Sequence, residues 1–158
     1  MSAEKNDFFR KIFRLLDLLL IVMIVAVFAE VLVEVFFRYV LHQPLSWGGE
    51  LSQTILVWIT FIGAAAALFR GEHMTIDLLV VRISSPKVKK AFQLLVLLIM
   101  GAFIVAGIDA GWTVVVRTWR MRTTAMQIPA GILYLAFPAG CLLMLPVIVR
   151  DFFRTIRG

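Results

Sequence analysis

Four stretches of this 158-residue chain each run for roughly twenty residues or more with few charges: residues 15–37, 50–69, 91–116 and 128–149. A hydrocarbon core about 30 Å thick is crossed by about 20 apolar residues in an α-helix, so each stretch can span a membrane. The pieces between and around them are too short to hold a further folded domain. Composition agrees: 61% of residues are apolar and 16% charged, where soluble domains carry nearer a quarter charged. A soluble enzyme, a DNA-binding module and a receptor ectodomain are excluded. The expectation is an all-α integral membrane protein, a single domain over residues 1–158 with four transmembrane helices.

The net charge of +6 gains its meaning from its distribution. With the N-terminus inside, twelve of the 16 basic residues fall on the inner side; Arg38, Arg117, Arg120 and Arg122 are the four outside. The positive-inside rule then predicts that both termini are cytoplasmic. The inner cations meet anionic lipid headgroups and no nucleic acid. Val27-Phe28-Ala29 could imitate a signal-peptide cleavage site, but the apolar pattern runs on to Phe37, longer than such a region, and the segment is expected to remain as a span. The lone cysteine, Cys141, lies within span 4 and allows no disulfide inside one chain.

Within span 1, Glu30, Glu34 and Arg38 follow one another at four-residue spacing and form a single stripe. An unpaired carboxylate in hydrocarbon is costly, so the stripe must face protein or water. It reads as a polar seam docking on a partner helix or on span 3, with a proton or ion relay as the alternative. Asp17 reads as a solvated residue at the inner interface, one turn from Arg14. In the first outer loop Pro44 stops the helix, Ser46 suits the start of span 2, and Trp47 belongs at headgroup depth. Gly63-Ala64-Ala65-Ala66-Ala67 gives span 2 a smooth face for close helix approach, either inside this bundle or against another subunit.

Residues 72–83 are too short and too charged to cross, and predict a helix along the inner interface anchored by Arg82. The only histidines, His42 and His73, fall on opposite sides, which argues against haem ligation. Span 3 holds Gly107 and Gly111 around Asp109, a carboxylate in the outer half of the bilayer. It reads as the partner of an arginine in the 117–122 loop, or else as a relay or ion ligand. Trp112 and Trp119 flank the outer interface. Span 4 is expected to start at Ile128 with Pro129 in its first turn, and to kink at Pro138. The sequence has no phosphate loop, metal-ligand cluster, nucleophile–base pair or internal repeat. No enzyme chemistry and no cofactor are expected, and a helper subunit fits better than a self-contained carrier.

Arg38-Tyr39-Val40, Pro44-Leu45-Ser46-Trp47 with Glu50, residues Trp58 to Ala65, and Arg70-Gly71-Glu72-His73-Met74 with Asp77 recur in a familiar order. So do Thr124-Ala125-Met126-Gln127-Ile128-Pro129, Tyr134 and Pro138-Ala139-Gly140. Over residues 15–150 this set resembles the small membrane subunit of TRAP (tripartite ATP-independent periplasmic) transporters, the DctQ-like family. The resemblance implies a bacterial or archaeal cytoplasmic (inner) membrane protein working beside two partners. One is a large elevator-type membrane subunit that carries substrate and sodium; the other is a periplasmic substrate-binding protein. It implies a fixed, non-catalytic scaffold in a system that imports organic acids on an ion gradient.

On that reading, Glu30, Glu34, Arg38, Gly63, Ala67, Gly107, Asp109 and Gly111 are the candidate seam to the large subunit. Arg38, Glu50, Arg117, Arg120 and Arg122 are candidates for docking the binding protein, and Trp47, Trp112, Trp119 and Arg82 for anchoring in the interface. Two other classes stay open: a small proton-coupled transporter that works alone, and a membrane anchor for a redox enzyme.

Overall fold

The computed structural model describes residues 2–70 and 86–157, with side chains over 14–70 and 88–156. Four helices form: α1 (Ser2–Tyr39), α2 (Gly48–Arg70), α3 (Pro86–Thr118) and α4 (Gly131–Arg157). All four are long and apolar enough to cross a membrane, over Arg14–Tyr39, Gly48–Arg70, Val88–Thr118 and Gly131–Ile156. Among the described residues the remaining regular structure is one antiparallel bridge, Arg122 with Pro129. The interfacial helix expected over 72–83, with Arg82 and His73, lies outside the described residues.

Span 4 begins later than its sequence suggests. Residues 121–130 form a small hairpin in which Thr123 N–H donates to the Ile128 carbonyl (2.9 Å) and Ala130 N–H to the Met121 carbonyl (2.9 Å). Pro129 sits between those two bonds, where the missing N–H of proline removes nothing from the pairing. Pro129 is therefore part of the hairpin and not of the first helical turn. Once formed, α4 continues through both Pro138 and Pro146.

The helices pack in the spatial order α1, α2, α4, α3, with α3–α4 the most extensive pairing and α1–α2 the least. The result is a row: α1 and α3, its two ends, form no packed pair. Lipid tails are as apolar as leucine, so helices in a bilayer are held by close fit and polar contacts. The fit is visible along α4. A Cβ on Gly140 would sit 2.7 Å from the Phe61 Cβ and 3.0 Å from its carbonyl oxygen, so α2 backbone rests directly on this glycine. Gly107 and Gly111 on α3 are filled in the same way by Phe137, Pro138 and Cys141 of α4, and Phe61 meets Phe137 edge-on at 5.2 Å. The core gathers around Ala66, Leu68, Ile104, Cys141, Val147 and Ile148.

Burial falls off along the row. A third of the apolar window of α4 is inside the protein (33%), against 6% for α1. Leu18, Ile21, Val25, Phe28 and Leu32 are all more than half exposed, so α1 is the least covered of the four spans.

Gly140→Ala is expected to force α2 from α4 and destabilise the protein by about 1–3 kcal/mol, the usual cost of overpacking. Gly63, whose added Cβ would meet nothing within 4 Å, provides the control. Gly63→Ala should be neutral or gain up to about 1 kcal/mol from helix propensity. Thermal unfolding of the two variants in one detergent, with a lowered Tm for Gly140→Ala and an unchanged or raised one for Gly63→Ala, checks the pair.

Candidate functional site

Polar contacts concentrate at the end of the row that carries loops 40–47 and 119–130, the end expected to face outwards. The α1–α2 loop turns through His42, a non-glycine residue with φ of 53°. Gln43 N–H reaches back to the Phe37 carbonyl at 3.1 Å. The Trp47 carbonyl accepts the first bond of α2, from Leu51 N–H (3.1 Å), so the helix caps at Trp47, one residue beyond Ser46. Gly48 then lies buried against α1: a Cβ there would stand 2.6 Å from Glu30 Oε1 and 3.0 Å from Glu34 Oε2. Glu30 takes a hydrogen bond from the Ser52 hydroxyl, and Glu34 pairs with Arg38 at 3.0 Å.

The stripe of span 1 thus meets α2 of the same chain, and not α3. Both carboxylates lie beside the start of α2, where unpaired backbone N–H groups and the helix dipole favour negative charge. At the opposite end Asp17 is ion-paired with Arg70. Its expected role as a merely solvated residue is corrected: the α1–α2 hairpin returns Arg70 to the level of Asp17, a proximity that helix spacing alone does not reveal. α1 is therefore tied to the row at both ends.

Glu50, in the first turn of α2, reaches across to the 119–130 loop. Its Oε1 accepts from the Thr124 hydroxyl (2.8 Å) and Ala125 N–H (2.8 Å), and its Oε2 from Met126 N–H (2.9 Å). Gln127, at φ 55°, makes the left-handed turn that directs those N–H groups inwards. The Gln127 side chain donates to the Thr124 carbonyl (3.0 Å), and Arg122 Nη1 donates to the Gln127 carbonyl (3.1 Å). Trp58 Nε1 adds a bond to the Ile132 carbonyl (3.1 Å), joining α2 to the first turn of α4. A cleft of about 220 Å³ opens beside the clasp, with Gln53, Thr54, Arg122 and Thr123 on one part of its wall and Ile128, Pro129 and Leu133 on another.

Chemically this end is a set of structural bonds with an excess of cations, and Glu30 Oε1 is buried there without a hydrogen-bond partner among the described residues. Both oxygens of Glu50 are occupied inside the chain. Arg117 and Arg120 are exposed and in no ion pair among the described residues, and Arg122 is exposed with one bond to backbone. Gly107 and Gly111 are used up in the α3–α4 contact. Gly63 and Ala67 are half-buried on α2, with open space above Gly63. Trp47, Trp112 and Trp119 are exposed near the loop end. Asp109 is exposed and reaches none of the arginines expected to pair with it: residues 117–122 lie further along α3 and in the hairpin, with Arg122 turned to Gln127. Sequence reasoning missed Thr124, Ala125 and Met126 as the partners of Glu50. The only hint was that Glu50 and this tripeptide both stood out as fragments at matching outer ends of their spans.

The family described as "Tripartite ATP-independent periplasmic transporters, DctQ component" matches residues 27–158. The C4-dicarboxylate TRAP transporter small permease protein DctQ of Rhodobacter capsulatus is 32% identical over 103 residues, 63% of this chain and 44% of that protein. The sialic acid TRAP transporter permease protein SiaT of Haemophilus influenzae (strain 86-028NP) is 26% identical over 125 residues, 77% of this chain and 20% of that one. The matched stretch spans less than half the length of either relative.

Glu50→Ala should release the hairpin while leaving the four helices formed. Amide hydrogen exchange at Ala125 and Met126 is expected to accelerate roughly ten-fold or more, with little change in the helix interiors. Thr124→Ala, which removes one of the three donors, should give a smaller effect, and unchanged exchange in Glu50→Ala would show that the clasp does not hold the loop.

Proposed function

The chain belongs to the DctQ family of tripartite ATP-independent periplasmic transporter components, and from that premise we propose that it is the stationary membrane scaffold of an importer. As a family member it is a non-catalytic, multi-pass membrane component of a transporter. In our reading it sits in a bacterial inner membrane with both termini in the cytoplasm. There it flanks a large elevator-type permease subunit that carries organic acids inwards on an ion gradient. The Haemophilus relative supports a larger companion, because the matching stretch is only a fifth of that permease chain.

The observation that carries this reading is the row of helices. A carrier that moves part of itself across the bilayer needs another part that is not dragged with it. Four spans laid side by side, tied at their ends and exposing α1 almost wholly, add bilayer footprint instead of enclosing a path. Trp47, Trp112 and Trp119 near the outer end resist displacement along the membrane normal, as interfacial aromatics do.

The same geometry supports a second duty, receiving the periplasmic binding protein. The negative charges of the loop end are engaged within the chain, Glu34 by Arg38 and Glu50 by the hairpin. Arg117 at the end of α3, Arg120 just beyond it and Arg122 on the hairpin that the Glu50 clasp holds remain as an exposed cationic rim. Charges so placed steer and orient a partner more than they add affinity.

Uptake of labelled C4-dicarboxylate or sialic acid into vesicles tests both duties. Transport is expected only when this chain, the large permease and the binding protein are combined; uptake by this chain alone would replace the scaffold with a carrier. Arg117→Glu/Arg120→Glu should reduce uptake at low salt by roughly ten-fold and approach the parent as ionic strength rises past the screening range. Equal rates at low salt would remove the cationic rim from the docking surface.

A further inference from the structure

Beneath the cleft beside the Glu50 clasp lies a second, apolar opening of about 440 Å³. Val57 and Phe61 of α2 form one wall of this trough, Ala110 and Val114 of α3 the other, and Tyr134 and Phe137 of α4 the floor. Leu133 lines both openings. On α2, Gln53 and Thr54 of the cleft stand one helical turn before Val57 of the trough. The two are therefore one recess, with polar groups at the loop end and an apolar trough leading inwards.

Its depth matches the layers of a membrane. Val114 lies four residues before the Thr118 end of α3, about 6 Å at about 1.5 Å per residue. Trp112 and Trp119 are exposed around that level, where aromatic side chains meet headgroups. The cleft thus sits among headgroups and the trough reaches into the acyl region below them. The trough is short, about one helical turn along each wall, and its inward limit is the edge-on contact of Phe61 with Phe137 at 5.2 Å.

The two charged groups of the cleft are Glu50 and Arg122. Glu50 is fully engaged by Thr124, Ala125 and Met126. Arg122 gives Nη1 to the Gln127 carbonyl and is in no ion pair among the described residues. A guanidinium carries five N–H donors, so most of its capacity is unspent. Arginine is the side chain best shaped to hold a phosphate through paired N–H groups.

We infer that this recess is a phospholipid site, in which an acyl chain lies in the trough and the headgroup phosphate accepts hydrogen bonds from Arg122. The trough by itself selects little, because one lipid tail is as apolar as the next; the cation over its loop end provides the selection, as basic pockets between spans do for lipid headgroups. A spanning helix of a partner subunit is the wrong occupant, since it needs a groove that continues across the bilayer and this one stops at Phe61 and Phe137. A second copy is also wrong, because a two-fold pairing on this face would bring one cationic rim against the other. A phosphate on Arg122 leaves Arg117 and Arg120 to the binding protein. The site does not depend on the subunit role.

A photoreactive phenylalanine analogue at Val114, and at Val25 on α1 for comparison, tests the assignment. The tagged full chain is extracted in mild detergent, washed, mixed with phosphatidylglycerol and irradiated, and adducts are weighed by mass spectrometry. A one-phospholipid adduct is expected from Val114 at roughly ten times its yield from Val25, the ratio set by about 1.4 kcal/mol of preference. Diacylglycerol, which lacks the phosphate, and free inorganic phosphate, which lacks the chains, should each fail to displace it. Arg122→Gln should lower the adduct roughly ten-fold, as loss of a charge-assisted bond does, and Arg122→Lys should retain part of it. Because Arg122 also holds the hairpin, Ala110→Phe serves as an independent variant. Ala110 is exposed and away from the hairpin, so filling the trough there should remove the adduct while leaving Tm unchanged.

Equal adducts from Val114 and Val25, displacement by diacylglycerol as readily as by phosphatidylglycerol, or full yield in both Arg122→Gln and Ala110→Phe overturns the site. So does irradiation in native membranes that links Val114 to another polypeptide, be it the large permease or a second copy.

Discussion

Apolar burial, which drives soluble proteins to fold, gives helices in a bilayer almost nothing, since lipid tails solvate leucine as well as another helix does. What remains is shape and the few polar groups the chain can afford to place. Gly140 under the Phe61 backbone and Gly107 and Gly111 under Phe137 and Pro138 provide the shape. They bring α4 into contact with α2 on one side and α3 on the other, which makes α4 the centre of the protein and leaves α1 and α3 as edges. The row architecture follows from where these small residues sit.

Polar groups complete what close fit leaves loose. α1 has little packing to hold it and is tied instead by Asp17 with Arg70 at one end and by Glu30 with Ser52 at the other. The 119–130 hairpin has little apolar contact and is held by three donors on Glu50. These ties lie at the ends of spans, where a charge can reach water or unpaired backbone. Asp109 departs from that pattern: it is exposed on α3, short of the helix end, and in no ion pair among the described residues.

Much of the fold was legible because a membrane imposes strict rules on sequence. Residues 15–37, 50–69 and 91–116 all fall inside observed helices, and apolar length alone placed them. The start of span 4 was misread: Pro129 suits a first helical turn equally well, and only the pairing of Met121 and Thr123 with Ala130 and Ile128 assigns it to a hairpin. The candidate site was legible as a parts list. Glu30, Glu34, Arg38 and Asp109 were singled out because ionisable groups near hydrocarbon are costly and must have a purpose, and Glu50 as a charge at the outer start of span 2. Apart from the Glu34–Arg38 pair, which four-residue spacing already suggests, their partners were not legible, since Ser52 and the 124–126 tripeptide are ordinary residues until the helices bring them within reach.

Sequence by itself determined the class of this protein, the number of spans and the family, because hydrocarbon thickness, backbone satisfaction and the order of motifs along the chain are one-dimensional constraints. Tertiary structure decided the rest. It put α4 and not α1 at the centre, gave Glu50 to the hairpin and Asp17 to Arg70, consumed Gly107 and Gly111 inside the chain and left Asp109 outside it. Those outcomes depend on which helix faces meet. A pattern with a period of 3.6 residues says that a face exists, while the neighbour it meets is settled only when all four helices are packed together.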